Sequence, residues 1–328
     1  MAAKVWAIGV DLGGTKVEVA SVDSGGLLHH RLRRPTNVKG GPGVIQGDIV
    51  AAARDLSERA GSPPVGVGVG VAGQIDSNQG AVQFAPNLGW RDVPLQADLS
   101  QALGMPVVVT NDVRAATWGE WLHGAGQDAD DLVCLFVGTG IGGGVVSGGR
   151  MLTGCTNTAG ELGHIVIDKD GPPCTCGNRG CLEAFAGGWA IARQARKAIS
   201  IDPSAGSYLL SSAGGQREAV TAEFVARAAH AGDPLALRVI NEAANALIAG
   251  AVSLVNAFNP CRFILGGGVV EGWPSLVGQI DQGVRQQALA AATRSLQVLP
   301  AKLKNDAGVV GAASLAIRSF TKEEGPDE

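Results

Sequence analysis

Two stretches of this chain repeat one plan: an apolar strand, a glycine-rich turn and a second apolar strand. The first runs through Val5 to Val10, the turn Asp11-Leu-Gly13-Gly14-Thr15-Lys16, and Val17 to Val22. The second runs through Leu132 to Val137, the turn Gly138-Thr139-Gly140-Ile-Gly142-Gly-Gly144, and Val145-Val146. Apolar runs separated by such turns read as hairpins. A hairpin at the start of each half predicts an α/β chain of duplicated lobes that clamp one polyphosphate. At 328 residues the chain is long enough for two lobes, 1–112 and 113–305.

A bare Gly-Gly hairpin is usually structural, but the first turn also carries Asp11, Thr15 and Lys16. The amides of Gly13 and Gly14 can cradle phosphate oxygens, Thr15 can donate a hydrogen bond, and Asp11 can hold Mg²⁺ or its water shell. The pattern Gly-x-Gly-x-x-Gly occurs at Gly68, Gly70 and Gly73 and again at Gly138, Gly140 and Gly143. Neither match opens a helix, which a dinucleotide fingerprint requires, so a dehydrogenase is set aside. The first match reads instead as a buried strand whose backbone comes close to a ligand. A third cluster, Gly266-Gly267-Gly268, follows the strand Arg262 to Leu265. It is suited to lie flat against an adenine or ribose, with a plain tight turn as the alternative.

Between Gly160 and Glu183 the chain reads Glu161-Leu-Gly-His164, an apolar run, and Cys174-Thr-Cys176-Gly-Asn-Arg-Gly-Cys181-Leu-Glu183. Three of the six cysteines fall within eight residues, with His164 ten positions upstream. Three thiolates and an imidazole complete the tetrahedral set that zinc prefers, although the one-residue gap between Cys174 and Cys176 is tighter than usual. The alternative is one disulfide and a stray thiol, which suits a secreted chain better than this one.

The charge balance, 26 basic against 30 acidic residues, offers no nucleic-acid surface. The first apolar run is too short for a signal peptide, and no segment reads as the roughly 20 apolar residues of a membrane span. A cytoplasmic protein with neither membrane nor nucleic-acid partner is expected. Aromatic residues make up only 4% of the chain, so its cores must be built from Ala, Val, Leu and Ile. Helices are expected at Pro42 to Ala60, Val113 to Trp121, Thr221 to Ala231, Asp233 to about Ala257 and Ala307 to Phe320. Residues 202–217 read as a surface loop and 322–328 as a disordered tail. Asp112 is placed to cap the helix at 113–121, or else is an acid at the ligand edge of a strand. Asn87 is either a turn residue or a ligand.

On these residues the chain resembles the sugar kinases of the ROK family (repressor, open reading frame, kinase), nearest their bacterial glucokinase branch. The resemblance runs from Asp11 to Gly268, and its most specific part is Glu161 to His164 together with Cys174 to Glu183. It implies the actin-like ATPase and hexokinase (ribonuclease H-like) fold, with two lobes around a deep cleft and a zinc-bound loop. It also implies that 306–321 rejoin the first lobe and that the protein forms a homodimer or homotetramer. Family repressors carry a winged helix-turn-helix ahead of Asp-x-Gly-Gly-Thr. Only ten residues precede Asp11 here, so DNA binding is not expected.

Carried over by position, the resemblance implies that Asn87, Asn111, Asp112, Glu161, His164 and Glu183 contact sugar hydroxyls. It places structural Zn²⁺ on His164, Cys174, Cys176 and Cys181. ATP and Mg²⁺ would be held by Asp11, Gly13, Gly14, Thr15 and Lys16, by Gly138, Thr139, Gly140 and Gly142, and by Gly266, Gly267 and Gly268. Asp112 would be the general base that takes the proton of the glucose 6-hydroxyl. The rivals are a kinase of N-acetylmannosamine or another hexosamine, and a sugar-responsive regulator that needs no Asp112. ADP or polyphosphate stays open as the phosphate donor.

Overall fold

Along Trp6–Leu12 the side chains alternate between two cores, as the two-residue period of a strand dictates. Trp6, Ile8, Val10 and Leu12 enter one core, and Ala7 enters the other. The computed structural model describes residues 5–76 and 78–321, so the expected disordered tail at 322–328 lies outside the described residues. The chain divides into two units. The first comprises the residues up to Asp128, Thr153–Ala159 and those from Lys302 on; the second comprises Ala129–Leu152 and Gly160–Ala301.

The first unit contains β1 (Trp6–Leu12), β2 (Lys16–Asp23), β3 (Leu28–Pro35), β4 (Val67–Val71), β5 (Gln74–Ile75), β6 (Val82–Ala85), β7 (Trp90–Val93) and β8 (Val107–Asn111). The main sheet has the order β3-β2-β1-β4-β8. β1 and β2 form the expected hairpin, whereas β1, β4 and β8 run parallel. The helix Gly41–Ala60 covers one face with Ile45, Ile49, Ala52, Ala53 and Leu56. That spacing is the stripe an amphipathic helix buries.

The helix Ala307–Phe320 covers the other face. A Cβ on Gly9 would lie 1.9 Å from the Val309 carbonyl oxygen, and one on Gly68 would lie 1.8 Å from that of Ala312. These strand glycines therefore let a helix backbone rest directly on the sheet. The expectation that the strand at 65–71 brings its backbone to a ligand is corrected on this ground. Gly70 likewise makes room for Ala115, and Gly73 for Ala85.

The helix Asp112–His123, which the sequence reading gives to the second half, lies within the first unit. A Cβ on Gly311 would sit 1.7 Å from the Ala115 carbonyl oxygen. Only glycine allows two helices to approach so closely. Buried Glu120, on the same helix, accepts hydrogen bonds from the amides of Ala125, Lys302 and Leu303 at 2.8, 3.0 and 2.7 Å. Its carboxylate thus fastens the segment after the helix to the segment that re-enters the unit.

The second unit contains β9 (Leu132–Val137), β10 (Ile141–Ser147), β11 (Arg150–Met151), β12 (Arg262–Gly266) and β13 (Gln297–Pro300), in the sheet order β11-β10-β9-β12-β13. β9 and β10 are the second hairpin, and β12 runs parallel to β9 and β13. The helix Pro234–Phe258 starts as expected, with Pro234 at the first position and the Asp233 side chain accepting from the Ala236 amide. By length and composition alone this helix is long and apolar enough to cross a membrane. Its face of Leu235, Val239, Ile240, Leu247, Leu254 and Val255 is instead buried in the core of the unit. The expected loop at 202–217 holds a short helix, Ser207–Ser212, anchored by buried Leu209.

Candidate active site and metal centre

The loop from Pro172 to Gly180 folds back on itself through main-chain bonds. The Cys174 amide donates to the Asn178 carbonyl at 2.8 Å and the Gly180 amide to that of Pro172 at 2.8 Å. Gly180 has φ 72°, and a Cβ there would meet the Asp168 carbonyl oxygen at 1.6 Å, so no other residue fits. The fold brings His164 Nδ1 to 3.7 Å from Cys174 Sγ, and Cys176 Sγ to 3.7 Å from Cys181 Sγ. All four ligand atoms lie within 4.8 Å of one another. Tetrahedral zinc sets ligand edges of roughly 3.5 to 3.8 Å, whereas a disulfide brings its sulfurs to about 2.05 Å. All six cysteines are free thiols, so the disulfide alternative is withdrawn.

Charge gives the same answer. Burial pushes the Cys181 thiol up to about 12, with Cys176 and Cys174 adding to the effect. The Asn178 main-chain N–H draws the Cys176 thiol below its ordinary value. Sulfurs so close together cannot all ionise without a cation among them. The donor set fits Zn²⁺, with four protein ligands and no position open. His164 keeps Nε2 for another partner.

Glu183 joins this loop to the glycine turn of the second hairpin. Its Oε2 accepts from the Ile141 amide at 2.8 Å. Its Oε1 accepts from the Trp189 indole N–H at 3.1 Å and from the Thr175 hydroxyl at 3.3 Å. A Cβ on Gly140 would lie 2.5 Å from Glu183 Oε2. The same turn receives the amides of Gly188 and Trp189 on the carbonyls of Gly138 and Thr139. Glu161 is exposed beside the single turn Leu162–His164, which packs on β10. A Cβ on Gly163 would lie 2.0 Å from the Ile141 carbonyl oxygen.

A cavity of about 840 Å³ in the second unit is lined by Gly138, Thr139, Trp189, Thr221, Arg227, Gly268 and Trp273, among others. That is the size of a small-molecule site. Of the third glycine cluster, only Gly268 reaches it. Gly266 makes room for the Phe136 ring, and Gly267, at φ 90°, for the backbone of Val137. Trp189, Glu223, Arg227, His230 and Trp273 carry no local signal, because helices distant in sequence bring them to the cavity. Thr221, expected at the start of a helix, is the cap of the helix Ala222–His230, its side chain accepting from the Phe224 amide.

In the first unit the Gly13 amide donates to the Lys16 carbonyl, and the Thr36 hydroxyl, unremarked in the sequence, donates to Gly13 O at 2.7 Å. Gly14 lies against the loop of Asn87, where a Cβ would meet the Asn87 carbonyl oxygen at 2.7 Å. The turn at 11–16 and Asn87 therefore adjoin. Burial pushes the Asp11 carboxyl above the ordinary carboxylate range; Lys16 opposes this and Glu18 reinforces it. Lys16 Nζ is 3.3 Å from Glu18 Oε2, and buried Glu18 also pairs with Arg31 and Arg33. Half-buried Asp11, with its carboxyl held above the ordinary range, is suited to meet a cation.

Asn111, not Asp112, caps the helix. Its Oδ1 accepts from the amides of Val113 and Arg114 at 3.0 and 3.1 Å, and its Nδ2 donates to Gly73 O at 3.2 Å. The capping role expected of Asp112 is corrected accordingly. Asp112 is the first helical residue, just past the end of β8. It stands in the positive field of the helix N-terminus, at the strand edge where open α/β sheets bind their ligands.

The sequence pattern of the ROK family matches residues 7–319. A glucokinase of Streptomyces coelicolor is 36% identical over 312 residues, covering 94% of this chain and 96% of its own length. An N-acetylmannosamine kinase of Citrobacter koseri is 32% identical over 310 residues, 94% of this chain and 98% of its own. Among solved structures, a ROK family glucokinase from Streptomyces griseus in complex with glucose and AMPPNP superposes with a TM-score of 0.82. It is 38% identical and covers 95% of this chain and 99% of its own. The fold is that of the actin-like ATPases and hexokinases.

Proposed function

The chain belongs to the ROK family and is an ATP-dependent sugar phosphotransferase, and from that premise we propose that it phosphorylates glucose at the 6-hydroxyl. The observation that carries this reading is the division of labour at the helix start. Asn111 takes the cap, which leaves Asp112 at the strand edge in a role other than capping. Phosphoryl transfer asks for an in-line hydroxyl and a group to receive its proton. Asp112 is that general base.

Asn87, Asn111, Glu161 and His164 are assigned to the sugar hydroxyls. Glu183, which already accepts from Ile141, Thr175 and Trp189, contributes one remaining lone pair. The turns 11–16 and 138–142, with Gly268, are assigned to the nucleotide. The cavity supports a nucleoside triphosphate as donor, since polyphosphate has no base to fill its apolar wall of Trp189 and Trp273. Bound Mg²⁺ neutralises phosphate charge, and Asp11 is the carboxylate that would hold it or its water. Zinc is structural, and a homodimer or homotetramer in the cytoplasm is the expected setting.

A second reading, an N-acetylhexosamine kinase, draws support from the kinship to the N-acetylmannosamine kinase. A coupled assay over glucose, mannose, fructose, N-acetylglucosamine and N-acetylmannosamine separates the two, with ATP, ADP and polyphosphate as donors. Glucose with ATP should give the highest kcat/KM. Preference for an N-acetylated sugar transfers the assignment to the second reading, and no turnover with any sugar favours a non-catalytic regulator.

A further inference from the structure

Thr153–Ala159 packs with the first unit, although the residues on either side of it in the sequence, Leu152 and Gly160, lie in the second. This strap runs directly into Gly160 to His164, which carries Glu161 and His164. Its anchor is Asn157, whose φ of 59° is in the left-handed region that asparagine tolerates better than most residues. The Asn157 Nδ2 donates to the Ile75 carbonyl at 3.2 Å, and its Oδ1 accepts from Arg114 Nη1. Arg114 Nη2 donates to the carbonyls of Asn157 and Ala159 at 3.0 and 3.1 Å.

Arg114 is only 7% exposed and stands two residues after Asp112 on the same helix. Burying a guanidinium is costly unless its donors are satisfied, and here its fork is matched to the carbonyls of one strap. The Asn111 side chain meanwhile donates to Gly73 O. Three segments are therefore laced together within the first unit: the helix start with Asn111 and Asp112, the stretch from Gly73 to Ile75, and the strap.

We propose that Arg114 and Asn157 are positioning residues for sugar binding. Together they hold the strap that feeds the Glu161–His164 turn in fixed register with the helix that carries Asp112. The inference rests on the sugar kinase reading. Neither residue is assigned a contact with a reactant; each acts by keeping the strap ordered before the sugar arrives. A loosened strap must be ordered by the sugar, and that cost appears as weaker sugar binding. Donor binding does not bear it.

Two variants of the full-length protein test this. Arg114→Lys keeps the charge but loses the planar fork. Asn157→Gly keeps the left-handed backbone and loses the side-chain bonds, and a thermal melt run beside the assay reads any loss of folding separately. In both, the hexose KM should rise roughly tenfold, the size of the ordering cost of about one immobilised side chain, while the ATP KM stays within about twofold. Calorimetry with the hexose alone should show the same loss of affinity. Equal rises in both KM values, or unchanged KM values with a lowered melting temperature, would overturn the inference and leave the functional reading standing. A wild type inert toward every sugar would overturn the reading and the inference together.

Discussion

Asn111 and Asp112 sit side by side with different tasks, and their substitutions should separate cleanly. Asp112→Asn keeps the size and polarity of the side chain but cannot take up a proton. The rate should fall by roughly 10² to 10⁴ while calorimetry still shows glucose binding; near-normal turnover would remove Asp112 from the chemistry. Asp11 offers a test of opposite sign. Its carboxyl is pushed above the usual range, so the folded protein holds that proton more tightly than the unfolded chain does. Stability therefore declines as pH rises from the ordinary carboxylate value through the raised one. Asp11→Asn removes this penalty. It should melt higher than the wild type at pH 7, with the gain shrinking as pH falls toward 3.8, the reference value for an aspartate. The same variant should need more ATP and Mg²⁺ to reach half its maximal rate. A variant that melts lower at pH 7 would contradict the account of its burial.

Elements with a pattern of their own were legible in the sequence. The hairpin β1–β2, the Asp233-Pro234 helix start and the metal loop each declare themselves within a few residues. What was not legible depends on partners far along the chain. Gly68 and Gly70 match a ligand-binding pattern, yet they are glycine because the helices at 307–320 and 112–123 lie against their strand. Asn and Asp cap helices almost equally well, so local rules could not choose between Asn111 and Asp112. Arg114 and Asn157 meet across 43 positions, a separation that carries no local signal. Glu120 belongs to the same class. Its carboxylate accepts three main-chain amides, and hydrogen bonds to a charged group contribute about 1.5 to 3 kcal/mol each. Glu120→Gln turns one acceptor into a donor facing an amide. Chemical denaturation should show a loss of about 2 kcal/mol or more. A loss under about 0.5 kcal/mol, the range of ordinary surface changes, would show that the staple is not needed.

At the scale of the whole chain, each unit has its own buried core, and the four candidate zinc ligands all belong to the second. Chains of this kind need not melt in one step. Elemental analysis should find about one zinc per chain, as four ligands with no open position require. Stripping the metal leaves the buried sulfurs of Cys174 and Cys181 without a counter-charge, and the loop must then reprotonate and loosen. The disturbance has a defined route outward. Thr175, between two of the ligating cysteines, donates to Glu183, which also receives the Trp189 indole and the Ile141 amide. Trp189 and Trp273 are the tryptophans of the second unit, whereas Trp6, Trp90, Trp118 and Trp121 belong to the first. Chelation should therefore lower the calorimetric transition of the second unit, leave that of the first in place, and change the fluorescence emission. In Trp189→Phe most of that emission change should disappear while the transition still shifts. Because Glu183 also orients the turn at Gly140 and Ile141, stripped protein should bind AMPPNP more weakly. Metal-free protein with both transitions, its emission and its nucleotide affinity intact would show that the four ligands do not form a structural zinc centre.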